Sequence, residues 1–116
     1  MKNNTIKSQA ITKYIRTSQE KSRRVLNIIQ GKSYNEARLM LEFMPYKICK
    51  IVIKTLDSAF YNIKLRASKS INRNEVKIVE ACANKGPIIK RFRPRAQGRA
   101  FSIRKPTCHI IIKLEL

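Results

Sequence analysis

Ile88-Ile89-Lys90-Arg91-Phe92-Arg93-Pro94-Arg95-Ala96-Gln97-Gly98-Arg99-Ala100-Phe101-Ser102-Ile103-Arg104-Lys105 is the most unusual stretch of this chain. From Lys90 to Lys105 it carries seven basic residues, five Arg and two Lys, and no acidic one. It cannot be a buried element, because unpaired charges are not taken out of water. Pro94 and Gly98 mark a turn, and folding the chain about residue 95 or 96 sets residues 84–94 opposite 97–107 as two arms. At ~3.3 Å per residue, an arm of about eleven residues reaches roughly 35 Å, farther than one small core covers. A two-stranded ribbon with no core beneath it is marginal in water and needs a partner along its length. Arginine pairs bidentately with phosphate and stacks on bases, and Phe92, Phe101 and Ile103 interleave with the charges, so the expected partner is RNA.

The flanks of this stretch read as strands. Residues 76–81 alternate, with Val76, Ile78 and Glu80 on one face and Lys77, Val79 and Ala81 on the other, and lead into Asn84-Lys85-Gly86-Pro87. Residues 109–116, rich in isoleucine, form the well-buried partner. Upstream, residues 67–74 read as a loop. Before it, Pro45 suits the first turn of a helix that runs to about Arg66. Ile48, Cys49, Ile51, Val52, Ile53, Leu56, Ala59, Phe60 and Ile63 share one arc of that helix, with Lys47, Lys50, Lys54, Asp57, Tyr61 and Lys64 opposite. Two shorter helices precede it. Thr17 with Glu20 fits a capping box, Val25, Leu26, Ile28 and Ile29 line a face, and Gly31 supplies a left-handed stop; Ser33 and Glu36 repeat the box before Ala37, Met40, Leu41 and Met44. Residues 10–15 alternate loosely enough for a short edge strand.

A chain of 116 residues, 43% hydrophobic, has the size and apolar content for one domain with one core. Its 26 Lys and Arg face 7 Asp and Glu, a net charge of +19 that repels itself unless a polyanion neutralises it. Nucleic acid is the first candidate and an acidic membrane surface the second. The longest apolar runs are triplets such as Ile51-Val52-Ile53, so no segment spans a bilayer, and the polar start reads as neither a secretory signal nor a transit segment. Cys49, Cys82 and Cys108 have no Cys-x-x-Cys spacing and, with the lone His109, make no usual zinc pattern; reduced thiols are expected, and neither metal nor cofactor. A hairpin centred on residue 95 would set Cys82 across from Cys108. Cys108 and His109 are strand neighbours that face opposite ways, so they are no nucleophile–base pair, and no catalytic residue is expected.

A second basic cluster, Lys13, Arg16, Lys21, Arg23 and Arg24, surrounds the start of the first helix, where free N–H groups and the dipole favour a phosphate. Lys47, Lys50 and Lys54 read instead as a solvated stripe. The expected RNA contacts are therefore Lys13, Arg16, Lys21, Arg23 and Arg24 with Lys90, Arg91, Arg93, Arg95, Arg99, Arg104 and Lys105. A DNA-reading helix module, a nuclease working through His109 and a cationic membrane-surface protein are the rival readings.

Lys85-Gly86-Pro87, then residues 90–100, then Arg104-Lys105-Pro106-Thr107-Cys108-His109-Ile110, resembles the C-terminal signature of the large-subunit ribosomal protein twenty-two family. The likeness extends through Ser18-Gln19-Glu20-Lys21-Ser22-Arg23-Arg24-Val25, Ile29-Gln30-Gly31-Lys32 and Leu56-Asp57-Ser58-Ala59. Leu41-Glu42-Phe43-Met44-Pro45-Tyr46 and Pro106-Thr107-Cys108-His109 look like the plastid-encoded branch. The resemblance implies an α+β fold, three helices packed on a small antiparallel three-stranded sheet with a long protruding β-hairpin. It implies one domain, with 1–83 and 108–116 as a globular head and 84–107 as the hairpin. It also implies a non-enzymatic constituent of the large ribosomal subunit that binds 23S-type ribosomal RNA and lines the peptide exit tunnel. The tunnel-lining tip would be Arg93, Pro94, Arg95, Ala96, Gln97, Gly98 and Arg99, with Gln97 where relatives commonly carry Lys or Arg. Implied partners are large-subunit ribosomal RNA, neighbouring proteins including large-subunit protein four, and the nascent peptide, with no membrane. The implied site is the plastid stroma, or else a bacterial cytoplasm, since 17 Ile, 15 Lys and 8 Asn fit AT-rich coding of either kind.

Overall fold

A computed structural model of the chain describes residues 6–68, 70–94 and 100–116, with backbone alone for 89–94 and 100–104. The elements run β1 (Lys7–Ile15), α1 (Gln19–Ile29), α2 (Tyr34–Phe43), α3 (Ile48–Ala67), β2 (Lys77–Lys85), β3 (Ile89–Pro94), β4 (Ala100–Lys105) and β5 (Cys108–Glu115). β1, β5 and β2 form an antiparallel sheet in that order, while β3 and β4 pair only with each other. The expected α+β architecture is therefore present: three helices and a three-stranded sheet, with a separate two-stranded ribbon inserted between β2 and β5.

Each helix start has a local cause. Ser18, not Thr17, caps α1, its Oγ accepting from the Lys21 N–H, because the Thr17 N–H is turned back to the Ile15 carbonyl at 2.9 Å. Ser22, Val25, Leu26 and Ile29 face inward at helical spacing, and Ile28, expected with them, is 41% exposed. Gly31 ends the turn at φ +84, a left-handed conformation open to glycine, and its N–H donates to the Ile78 carbonyl at 3.0 Å. Ser33 caps α2 as expected, accepting from Glu36 N–H at 3.3 Å.

α3 begins at Ile48 rather than at Pro45. Met44 before the proline is extended, as steric clash with a proline ring demands, and 45–47 are spent turning the chain. Its buried face is Ile48, Cys49, Val52, Thr55, Leu56, Ala59, Phe60 and Ile63; Ile51 and Ile53 are half-buried at its margins.

β5 is the centre of the sheet. Cys108, Ile110, Ile112 and Leu114 are buried beneath the helices and their intervening neighbours face the other way. β1 is one edge, as expected, but begins at Lys7, three residues before the expected strand, and polar ties fasten it to α3. Ser8 Oγ donates to the Ala59 carbonyl at 2.7 Å, Thr12 and Thr55 hydroxyls meet at 2.6 Å, and Asn62 donates to Gln9 O at 3.1 Å. On β2 the simple alternation fails. A bulge between Ile78 and Glu80 moves the inward face from even to odd residues, so Ala81 and Ala83 follow Ile78 into the core and Glu80 pairs with Lys113 at 3.1 Å on the outer face.

The ribbon starts where the sheet ladder stops. The last β2–β5 pair is Lys85 with Cys108 and the first β3–β4 pair is Ile89 with Lys105; Pro87 and Pro106, without N–H donors, lie between. The Thr107 hydroxyl donates to the Pro87 carbonyl and its own carbonyl accepts from Gly86 N–H at 2.9 Å. A Cβ on Gly86 would stand 2.6 Å from Thr107 Oγ1, so the root admits glycine alone without rearrangement. The β3–β4 register, Pro94 opposite Ala100, centres the ribbon on residue 97 and not 95 or 96. Cys82 accordingly sits opposite Ile111 and Cys108 opposite Lys85, so the two thiols are not cross-strand partners, and all three cysteines are free.

Candidate nucleic-acid interface

The N-termini of α1 and α3 open on one groove of about 840 Å³ beside the root of the ribbon. Arg16, Lys21 and Arg24 enter from the β1–α1 corner, Lys47 from the start of α3, and Lys105 from the end of β4. Pro45, Tyr46, Ile48, Ile51 and Pro106 supply apolar walls, and no acidic residue is among the described residues that line it. Tyr46 is about half exposed, at 52%, so its ring is available for stacking.

The helix ends reinforce the cations. A helix N-terminus carries roughly half a positive charge on unsatisfied N–H groups. α1 has Ser18 and Glu20 to blunt this, whereas α3 has neither a side-chain cap nor an acid in its first turn. The Cys49 N–H turns back to the Tyr46 carbonyl at 3.2 Å, and the dipole of this uncapped end adds to a groove that already holds five cationic side chains.

Of the sequence-expected contacts, the structure brings Arg16, Lys21, Arg24 and Lys105 together. Lys13 and Arg23 are exposed but do not line the groove; Arg23 lies toward β2, where its charge is felt by the Cys82 thiol. Lys90, Arg91, Arg93 and Arg104 fall on β3 and β4, with Lys90 opposite Arg104 and Arg93 opposite Phe101 in the backbone register. Pro94 ends β3, while Arg95, Ala96, Gln97, Gly98 and Arg99 lie outside the described residues. Lys47, assigned from sequence to a solvated stripe, belongs to the groove, and Tyr46 joins it. No spacing announces either residue: the packing of α3 against α1 is what brings them to the groove.

His109 is engaged structurally. Its Nδ1 accepts from Tyr14 N–H at 3.0 Å, holding Tyr14 at φ 58, and the two rings meet edge to face. Cys108 is wholly buried with Sγ 3.3 Å from Ser22 Oγ. Burial pushes the thiols of Cys49 and Cys82 up, which keeps both protonated. Among the described residues no helix is long and apolar enough to cross a membrane.

The fold and the groove define a small cationic α+β protein shaped for contact with a polyanion. Comparison with known sequences gives the family. The model of ribosomal protein L22p/L17e matches residues 10–115, and the chain belongs to that family, whose members are structural ribosomal proteins and not enzymes. Large ribosomal subunit protein uL22c of Gracilaria tenuistipitata is 56% identical over 117 aligned positions, covering 100% of this chain and 99% of that one. The uL22c of Cyanophora paradoxa is 50% identical over 107 residues, 92% of each chain. The cyanobacterial uL22 of Nostoc punctiforme is 49% identical over 112 residues, covering 97% of this chain and 93% of its own.

Proposed function

We propose that the chain is a structural constituent of the large subunit of a plastid ribosome, binding 23S-type ribosomal RNA and stabilising its fold during assembly. The carrying observation is the groove: cations from three separated chain segments converge there, with two helix N-termini and no acidic lining residue among those described. RNA backbone laid in it would release condensed counterions at every neutralised phosphate, and a base can stack on Tyr46.

The chain is read as one domain, with 1–83 and 108–116 as head and 84–107 as an RNA-penetrating hairpin. Lys13, Arg23, Lys90, Arg91, Arg93 and Arg104 extend the contact beyond the groove, and Arg95 and Arg99 carry it to the tip. The tip, residues 93–99, lines the nascent-peptide exit tunnel next to large-subunit protein four and touches the growing peptide. The uL22c names of the relatives support the plastid site, and the cyanobacterial relative fits the bacterial alternative.

Sedimentation and zero-length crosslinking of the endogenous protein test this reading. The expected result is co-sedimentation with the large subunit and RNA adducts at Lys21, Lys47 and the ribbon. Absence from the subunit, or a ribbon packed on its own head and making no RNA adduct, overturns it.

A further inference from the structure

α2 is unlike the rest of the surface. Between Ser33 and Tyr46 the lone cation is Arg38, on a chain of net charge +19, and Arg38 is committed internally. Its guanidinium holds the Asp57 carboxylate, which also accepts from the Tyr34 hydroxyl at 2.6 Å, and its Nε reaches Glu42 at 3.5 Å. Glu36 and Glu42 are exposed, and no described side chain neutralises Glu36.

The helix is also apolar on two faces. Tyr34, Ala37 and Leu41 are buried against the core, whereas Leu39 and Phe43, one turn apart on the outer face, are 49% and 84% exposed. Residues at that spacing lie about 5–6 Å apart at Cβ and form one continuous apolar spot. Tyr61 and Leu65 on α3 are exposed at the same spacing but lie among Lys64 and Arg66, whereas the Leu39–Phe43 pair lies among carboxylates, and that combination sets this face apart.

We infer that the Leu39–Phe43 face of α2, flanked by Glu36 and Glu42, docks a Lys- and Arg-rich segment of a neighbouring protein that carries an apolar anchor. Charge complementarity selects this occupant. A phosphate backbone meets two carboxylates here and no uncommitted cation among the described side chains of α2, whereas a cationic peptide gains the carboxylate of Glu36, the part of Glu42 that Arg38 leaves exposed, and the apolar spot. The inference rests on the ribosomal reading, because RNA-rich particles are where basic protein segments are abundant neighbours.

Site-specific photocrosslinking in assembled particles tests it. With Phe43→p-benzoylphenylalanine the chain should still co-sediment with the large subunit, and irradiation should join residue 43 to a protein peptide rich in Lys and Arg. Adding Glu36→Lys should cut the yield several-fold without removing the chain from the subunit. A chain that enters the subunit but gives an RNA adduct, an adduct to a segment without basic residues, or no adduct overturns this inference and leaves the ribosomal reading standing. A chain that stays out of the subunit overturns both.

Discussion

The groove at the ribbon's root and the outer face of α2 belong to one strongly basic chain, yet they are built oppositely. In the groove, Arg16, Lys21, Arg24, Lys47 and Lys105 are gathered from distant segments, and no acid among the described lining residues offsets them. On α2 the single cation is spent on Asp57 and Glu42, leaving two exposed apolar side chains, Leu39 and Phe43, and carboxylates outward. Net charge alone points the whole chain toward a polyanion, and only the placement of the charges separates a side suited to one from a side that is not.

Both surfaces hang from α3, so the largest effect comes from its core. Leu56 is fully buried between sheet and helices. Leu56→Ala should cost about 2–5 kcal/mol in denaturant unfolding and abolish RNA binding and α2 docking together. If either surface outlived that loss of stability, the two would not share a scaffold.

Separating the surfaces is the next test. Replacing Arg16, Lys21, Arg24 and Lys47 together with Gln removes four of the groove's cations. The slope of log affinity for structured ribosomal RNA against log salt should fall by roughly 3, while the melting temperature stays put. Leu39→Ser with Phe43→Ser should leave that slope unchanged. A slope insensitive to the groove quadruple but altered by the α2 pair would reverse the comparison.

A smaller change addresses the hinge between head and ribbon. Gly86→Ala forces Thr107 to move, and its buried hydroxyl then loses Pro87 O. The expected cost is about 1–3 kcal/mol, with increased hydrogen exchange confined to 84–89 and 105–109. Unchanged exchange at those amides would show that the root yields without strain.

How legible this was in the sequence depended on whether a cue was local. Ser33, Gly31 and the apolar arc of α3 act within a few residues, and each does what its spacing announces. The β2 bulge was invisible, since Val76, Ile78 and Glu80 alternate faultlessly and only the pairing with β5 moves Glu80 outward. Pro94 and Gly98 as turn formers point to a centre at 95 or 96, whereas the β3–β4 pairs, Ile89 with Lys105 through Pro94 with Ala100, set it at 97, a register with no local cue. In the groove, Arg16, Lys21 and Arg24 were readable as a cluster at a helix start. Lys47 and Tyr46 were not, because what joins them to α1 is the packing of α3, a contact with no trace in spacing.

The smallest prediction concerns how α2 keeps its single cation occupied. Tyr34 stacks on Phe60 at 4.1 Å and donates to Asp57, beside Arg38. Burial, then the Asp57 hydrogen bond and charge, push the phenol up to about 12. The folded state thus holds this proton more tightly than the unfolded chain, whose tyrosine titrates near 10. The stabilisation is fully present below pH 10 and is lost as pH rises through 12. Tyr34→Phe keeps the stack and removes the hydroxyl, so it should cost about 1–2 kcal/mol at pH 8 and progressively less above pH 10. Denaturation of both proteins from pH 8 to 12 measures the difference. A gap that does not close with pH would mean the hydroxyl stabilises the fold other than by donating its proton to Asp57, leaving the direct ion pair with Arg38 as what holds that carboxylate.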